Sequence, residues 1–285
     1  LDYRYWVRAT NTAGVVSANS DWGYRDLVYY VRPDGSDAAD GLSWANAFQT
    51  ITNALVSVNV GQIRIAAGTY SPGGGAGNTF NMKSRVKLYG GFTNGGSMTD
   101  RDWTANPTIL DGGNTNFHVV KCVSKTGVVL DGLIIWGGNA VGSVVDDAWG
   151  AGMLIDGSAF AVNHCVFTGN VAFSSSVGWG EGAGLTVVNS SIGMVSNCAF
   201  VANTAVGPDD NSMGGGVLVN ISGGGPVTIN ACSFRLNTAH SAGGACVSGA
   251  GAVFTDCDFI CNTTAWYAAL VSGSSLLWGL IGHIN

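Results

Sequence analysis

The chain has 285 residues, of which 46% are hydrophobic and only 11% are charged; this composition supports a sizeable core and excludes an intrinsically disordered protein. Eleven of the twelve Lys and Arg residues lie at or before Lys125, whereas residues 126–285 carry nine acidic residues and a single arginine. This distribution excludes binding to nucleic acid and to anionic membranes, which both require basic patches.

The first 25 residues differ from the rest and are predicted to form a separate hairpin. Residues 3–10 alternate with a two-residue period, which indicates a strand, and a turn at 11–14 leads to a second predicted strand at 15–20. The spacing of Tyr3, Tyr5, Val7 and Asn11 resembles the last hairpin of a fibronectin type III domain. Because a lone hairpin is marginally stable in water, we expect it to pack on its neighbour or on another chain.

Residues 26–70 are predicted to cap a longer domain. An apolar strand at 27–31 precedes an amphipathic helix at 45–58 with Ser43 as its N-cap, and such a helix would cover the exposed end of a solenoid. Asp34, Asp37 and Asp40 lie in turns between them, where they would hold Ca²⁺ or, more commonly, bond their own backbone. Segments 30–37 and 40–51 resemble the N-terminal segment of secreted right-handed parallel β-helix proteins, a resemblance that implies the fold rather than an activity.

A phrase of the form Cys-x-Phe-x-x-Asn recurs along the second half of the chain. It occupies Cys165, Phe167 and Asn170, then Cys198, Phe200 and Asn203, then Cys232, Phe234 and Asn237, and finally Cys257, Phe259 and Asn262. A degenerate copy lies at 133–140, and glycine-rich phrases alternate with the Cys phrases. The period of about 32 residues, which starts near residue 130, is typical of a stacked solenoid.

Each repeat predicts one coil of an all-β, single-stranded parallel β-helix within residues 71–285. Two alternating stretches, such as 153–156 and 160–167, and a short third side would form the walls. We expect Cys and Phe to point inward and stack on their copies, and Asn to bond turn backbone and the next Asn. The glycines would allow corners with positive φ.

The repeats also resemble those of polymorphic outer-membrane proteins, a family of autotransported surface adhesins. The resemblance covers about residues 130–270 and is carried by the four Phe-x-x-Asn pairs and by glycine phrases such as Gly182–Leu185. It implies an extracellular or cell-surface location and an adhesive role. The apolar run at 274–283 is a final coil or a surface that docks another subunit, so self-association through the termini into filaments is also expected.

The chain has seven cysteines, four of them in the repeated phrase. We expect those four to form a buried, reduced column in which Cys acts as a small apolar residue. Cys246 and Cys261 are a candidate pair, although spacing alone leaves the connectivity open.

The candidate site lies in the loops that precede three successive glycine phrases. It contains Asp146, Asp147, Trp149, Trp179, Glu181, Asp209 and Asp210. On one edge of stacked coils these residues would bind Ca²⁺, stack a sugar ring, or cleave a glycoside with two carboxylates, unless they only keep the loops soluble. No resident cofactor is expected, and Ca²⁺ is the one candidate ion.

Enzymes that cleave polyuronates need a basic residue as the base and cations against the substrate carboxylates. The early coils supply Lys83, Arg85, Lys87, Lys121 and Lys125, but not in a recognisable lyase order. We therefore predict a non-catalytic extracellular module, adhesive or structural, whose partners are a glycan or a neighbouring cell surface. The alternative is a carbohydrate-active enzyme or glycan-binding module on the same scaffold; no nucleic-acid binding and no membrane insertion are expected.

Overall fold

A computed structural model describes residues 4–7, 21–24, 27–142, 147–173, 180–207, 212–223, 225–249, 251–264 and 270–272. From residue 28 the chain forms a right-handed parallel β-helix walled by four sheets, as the sequence predicts. N-terminal to the β-helix, strand β1 (Arg4–Val7) pairs antiparallel with strand β2 (Asp21–Tyr24). The described strands therefore pair as the two strands of a hairpin would, and the predicted second strand at 15–20 lies outside the described residues.

The strands are numbered in chain order and each sheet collects equivalent strands of successive coils. Sheet 1 contains β3 (Val28–Val31), β4 (Gly61–Ala66), β7 (Val86–Phe92), β10 (Val128–Asp131), β14 (Ala159–Asn163), β18 (Ile192–Ser196), β22 (Val227–Asn230) and β26 (Ala252–Thr255). Sheet 2 contains β5 (Gly68–Tyr70), β8 (Thr108–Asp111), β11 (Ile134–Trp136), β15 (Val166–Thr168), β19 (Ala199–Val201), β23 (Ser233–Arg235) and β27 (Asp258–Ile260).

Sheets 3 and 4 complete the coil. Sheet 3 contains β12 (Asn139–Ala140), β16 (Val171–Phe173), β20 (Thr204–Val206), β24 (Thr238–Ala239) and β28 (Thr263–Thr264). Sheet 4 contains β6 (Phe80–Asn81), β9 (Val120–Val123), β13 (Met153–Asp156), β17 (Leu185–Val188), β21 (Val217–Ile221), β25 (Ala245–Gly249) and β29 (Leu270–Ser272). One coil therefore runs through sheets 4, 1, 2 and 3 in turn.

The corner between sheets 1 and 2 corrects the predicted number of sides. The stretch 160–167 is two strands, β14 and β15, because the chain turns between them in the left-handed region. The corner residues are Gly132, His164, Asn197, Ala231 and Asp256, with φ of 69°, 48°, 53°, 50° and 52°. A single residue with positive φ redirects the chain without breaking the inward pattern on either side, so the alternation alone did not show the corner.

The core is built from the repeated phrase, as predicted. Phe167, Phe200, Phe234 and Phe259 stack with ring centroids 4.8, 4.9 and 4.6 Å apart and nearly parallel planes. The four cysteines of the phrase lie in the same buried cluster, and the backbone N–H of Cys165 lies 3.4 Å from Cys198 Sγ. Identical residues occupy the same register in successive coils, so each aromatic ring covers its copy.

The asparagines form a continuous buried ladder at the corner between sheets 2 and 3. Asn170 Nδ2 donates to Asn203 Oδ1 at 2.9 Å, and Asn203 and Asn237 each donate in the same way to the next copy at 2.9 Å. Each Nδ2 also donates to the carbonyl of a phenylalanine or isoleucine one coil earlier, as Asn203 does to Phe167 at 3.0 Å. Both donors and the acceptor of each amide are therefore satisfied, which is required for a buried amide.

The two glycines of each glycine phrase have different roles. Gly182 and Gly214 have φ of 57° and 63°, as predicted for a sharp corner. Gly184 is instead required by close approach, because a Cβ there would lie 2.4 Å from the carbonyl oxygen of Gly216.

The capping helix is shorter than predicted. Helix α1 spans Ile51–Ser57, and its N-cap is Thr50, whose side chain accepts the N–H of Asn53. Ser43 accepts the N–H of Asn46 in an upstream turn, and Phe48 forms a bridge to Val31 in sheet 1, so residues 45–50 are not helical. Ile51, Ala54 and Leu55 are buried in the main core cluster, which confirms that the helix covers the first coil.

Candidate functional site

Part of the predicted loop edge is described, and there the residues that end the loops are stacked. The residues that end these loops form parallel bridges from Trp149 to Glu181, from Glu181 to Met213, and from Met213 to Ser241. Asp147 begins the approach to Trp149, and its carbonyl accepts the N–H of Gly142 at 3.0 Å. The other candidates, Asp146, Trp179, Asp209 and Asp210, lie outside the described residues.

Glu181 is not a solvated loop residue. It is 5% exposed, and burial raises the pKa of its carboxyl to about 7. Next to it in the bridge ladder, Met213 packs against Leu218, Ala242 and Cys246 on the outer face of sheet 4. A carboxyl in such a setting is partly protonated near neutral pH, so it suits proton donation better than binding of Ca²⁺.

The sulfur atoms beside Glu181 belong to the same buried cluster. The thiol of Cys246 lies 3.8 Å from Met213 Sδ. Burial, and secondarily the charge of Glu181, raises the pKa of Cys246 to about 11. Cys246 is buried and Cys261 exposed, and both are free thiols, so this candidate pair is not bonded.

A groove that the sequence analysis did not predict lies at the other end of sheet 4. It has a volume of about 400 Å³ and lies between helix α1 and the outer face of the first two strands of that sheet. We call it the lysine groove; it is lined by Thr52, Leu55, Val56, Thr79, Phe80, Asn81, Met82, Lys83, Lys121, Val123 and Lys125. Its three charged lining residues are all lysines.

The pairing of β6 with β9 and the corner after β9 bring these lysines together. Lys121 and Val123 are the half-exposed, outward residues of β9, and Lys125 follows two positions later. Asn81 is paired in register with Lys121, so Lys83 lies one coil earlier at the level of Val123. Residues that alternate along a strand share one face. The alternation of Lys121 and Val123 was therefore a readable signal, but Lys125 lies beyond the end of β9, and only the fold brings Lys125 and Lys83 beside Lys121.

The three ammonium groups differ in their partners. Lys83 Nζ donates to the carbonyl of Val56 at 3.1 Å and to Asn59 Oδ1 at 3.0 Å. These two hydrogen bonds hold the C-terminal end of α1 in place. Within the described part of the chain, no ion pair involves Lys121 or Lys125. In the neighbouring strand β13, Asp156 is paired in register with Val123. Its carboxylate accepts a hydrogen bond from Asn189 Nδ2 at 2.5 Å.

The three aspartates near the N-terminus each have a partner within the described residues. Asp37 accepts the N–H groups of Gln49 and Thr50 at 2.9 Å, which explains why the helix begins there. Asp40 accepts the N–H of Leu42, and Asp34 lies 3.5 Å from Arg32. Only Asp40 bonds the backbone of its own turn, because Asp37 bonds backbone groups 12 and 13 residues away and Asp34 has a side-chain partner. Among the residues described, no group of three or more metal-binding side chains occurs.

Comparison with known proteins gives one family match. A family model described as "Protein of unknown function (DUF1565)" matches residues 34–256. No curated protein matches the chain. In the parts that the structure describes, no helix has the length and apolar character needed to cross a membrane.

Several solved structures match most of the chain at low sequence identity. Pectate lyase Pel9A is 12% identical, with a TM-score of 0.42, over 89% of this chain and 80% of its own. Pectin methylesterase PemA from Erwinia chrysanthemi is 13% identical, with a TM-score of 0.42, over 85% of this chain and 69% of its own. A rhamnogalacturonan lyase is 12% identical, with a TM-score of 0.34, over 88% and 86%. At these values the likeness says nothing about the chemistry of this chain.

Proposed function

The chain belongs to the DUF1565 family of proteins of unknown function, and on that premise we propose that it is an extracellular β-helix module that binds acidic glycans in the lysine groove. The observation that carries the proposal is the convergence of Lys83, Lys121 and Lys125 on one groove of about 400 Å³ in a chain with net charge −6. Ammonium groups attract the carboxylates of uronic acids.

The groove suits a chain of sugar residues rather than a single small anion. Lys121 lies within β9, whereas Lys125 follows the end of that strand, beyond Ser124 with its φ of 54°, so the groove presents ammonium groups from the strand and from the corner that follows it. The side chains of Leu55, Val56 and Val123 lie between and beside the lysines, so apolar faces of the sugar rings have surfaces to contact. An extracellular or surface location follows from this ligand class. The proposal involves no cofactor. Such binding would attach the protein to a surface that carries acidic glycans.

Calorimetric titration with tetragalacturonate tests the proposal, with cellotetraose as the neutral comparison. We expect tetragalacturonate to bind with an affinity that falls as salt rises, whereas the affinity for any neutral oligosaccharide should not depend on salt. The double variant Lys121→Gln, Lys125→Gln should weaken binding by up to about five-fold for each lysine. Arg235→Gln, which removes a cation from sheet 2, is the matched control. Salt-independent binding of tetragalacturonate, or an equal loss of its binding in the control, would refute the proposal.

The second candidate function is glycoside hydrolysis at the loop edge. It is favoured by Glu181, a buried carboxyl with pKa about 7 that lies in register with Trp149, since a general acid needs such a raised pKa. Release of reducing ends from a neutral or acidic glycan should then stop in Glu181→Gln. Hydrolysis that continues unchanged in that variant would reject Glu181 as the acid.

A further inference from the structure

The corner between sheets 1 and 2 carries a second cavity, separate from the lysine groove and from the loop edge. It has a volume of about 310 Å³ and is bordered by the segment 103–107, which crosses the outside of the corner. The outward residues Ile134, Val166 and Ala199 of successive sheet 2 strands line it. The corner residues His164 and Asn197 add polar groups, so an apolar floor meets a polar rim.

The imidazole of His164 is held in a defined orientation. Its Nδ1 lies 3.3 Å from Asp131 Oδ1. Because a carboxylate only accepts, Nδ1 carries the hydrogen of this bond and Nε2 of the neutral ring is an acceptor. The ring also packs against Trp103, with centroids 4.4 Å apart and planes tilted by 32°. His164 occupies a corner position with φ of 48°, so its backbone direction is set by the coil as well.

Asp131 is in turn held by a buried arginine. Arg101 Nη2 lies 2.6 Å from Asp131 Oδ1, and the arginine and aspartate side chains are 7% and 14% exposed. The guanidinium carbon lies 5.4 and 5.0 Å from the ring centres of Tyr89 and Trp103. The cation is therefore enclosed by rings and already neutralised by Asp131.

The corner glycine is part of this construction. A Cβ at Gly132 would lie 2.2 Å from Arg101 Nη2 and 3.0 Å from Trp103 Cβ. Glycine at this one corner thus gives the arginine and tryptophan the space to reach the aspartate and the imidazole. The later corners carry Asn197, Ala231 and Asp256 instead, without the segment 103–107 above them.

From these contacts we infer that the cavity beside His164 binds a neutral sugar ring, with Nε2 accepting a hydroxyl hydrogen and Ile134 and Val166 contacting a C–H face of the ring. An acidic sugar gains no ion pair from Arg101, because that guanidinium is already paired with Asp131. The combination of an apolar floor and a polar rim matches a pyranose, which presents C–H faces and hydroxyl edges. The volume of about 310 Å³ is in the range of small-molecule sites.

NMR of the histidine ring signals in the full chain tests this inference, because the protein has four histidines. His164→Asn assigns the signal and keeps a residue that the corner already accepts at Asn197. We expect cellotetraose or galactotetraose to shift the His164 signal and tetragalacturonate to leave it unchanged. His164→Asn should weaken binding about 2- to 10-fold, the range of one lost hydrogen bond.

Two further variants separate binding from a purely structural role. Trp103→Ala removes the wall and should abolish the shift, while Asp256→His places an imidazole at an equivalent corner without that wall and should not acquire one. The inference is overturned if neither neutral oligosaccharide shifts the His164 signal, if the acidic one shifts it equally, or if His164→Asn binds as the parent does. Binding in the lysine groove is unaffected by any of these outcomes.

Discussion

Replacement of Glu181 by glutamine should stabilise the protein increasingly as the pH rises. Burial raises the pKa of this carboxyl from its ordinary value of 4.5 to about 7. A raised folded pKa means that the folded state keeps the proton longer than the unfolded state. The stability associated with the protonated form is therefore complete below 4.5 and is lost as the pH rises through 7. A difference of about 2.5 pKa units corresponds to about 3 kcal/mol of unfolding free energy.

Urea unfolding of the parent and of Glu181→Gln at pH 5 and pH 8 measures this effect. Glutamine has the same shape and no charge, so its constant cost of burial cancels between the two pH values. We expect the unfolding free energy of the variant, relative to that of the parent, to increase by about 2–3 kcal/mol between pH 5 and pH 8. Asp258→Asn, which removes an exposed carboxylate, controls for the loss of one negative charge. A pH-independent difference for Glu181→Gln, or an equal change in the control, would refute the burial argument.

Three further predictions concern the scaffold. Asn203→Ala breaks the ladder and leaves the Phe167 carbonyl without its donor, so unfolding should become easier by about 3 kcal/mol or more in urea titrations. Gly184→Ala should cost about 1–3 kcal/mol by overpacking, whereas Gly74→Ala, where nothing lies within 4 Å, should not; equal midpoints would contradict the close-approach argument. Ellman's reagent should label Cys261 alone in the folded protein, because the other six thiols are buried, and a second reactive thiol without denaturant would disprove the buried column.

Several features of the fold were determined by local patterns. The period of the Cys-x-Phe-x-x-Asn phrase predicted one coil for each repeat, because identical residues stack only if each repeat returns to the same place. Burial of Phe200 and the bonds of Asn203 follow from that return, so both were predicted correctly. The start of the helix was wrong, since Asp37, distant in sequence, binds the backbone at Thr50 and so sets where the helix can begin.

The candidate site, too, was only partly predictable from the sequence. The stacking of Trp149 over Glu181 followed from the repeat, but the burial of Glu181 depends on Met213 and its cluster one coil and more away. The lysine groove needs Lys83 from an earlier coil and α1 from outside the coil. In a solenoid the repeat fixes what stacks along the axis, while contacts across coils with the helix or an inserted segment depend on three-dimensional proximity. The sequence alone therefore determined the scaffold, and only the tertiary structure placed Lys121 and His164 in cavities, because their partners come from segments that do not repeat.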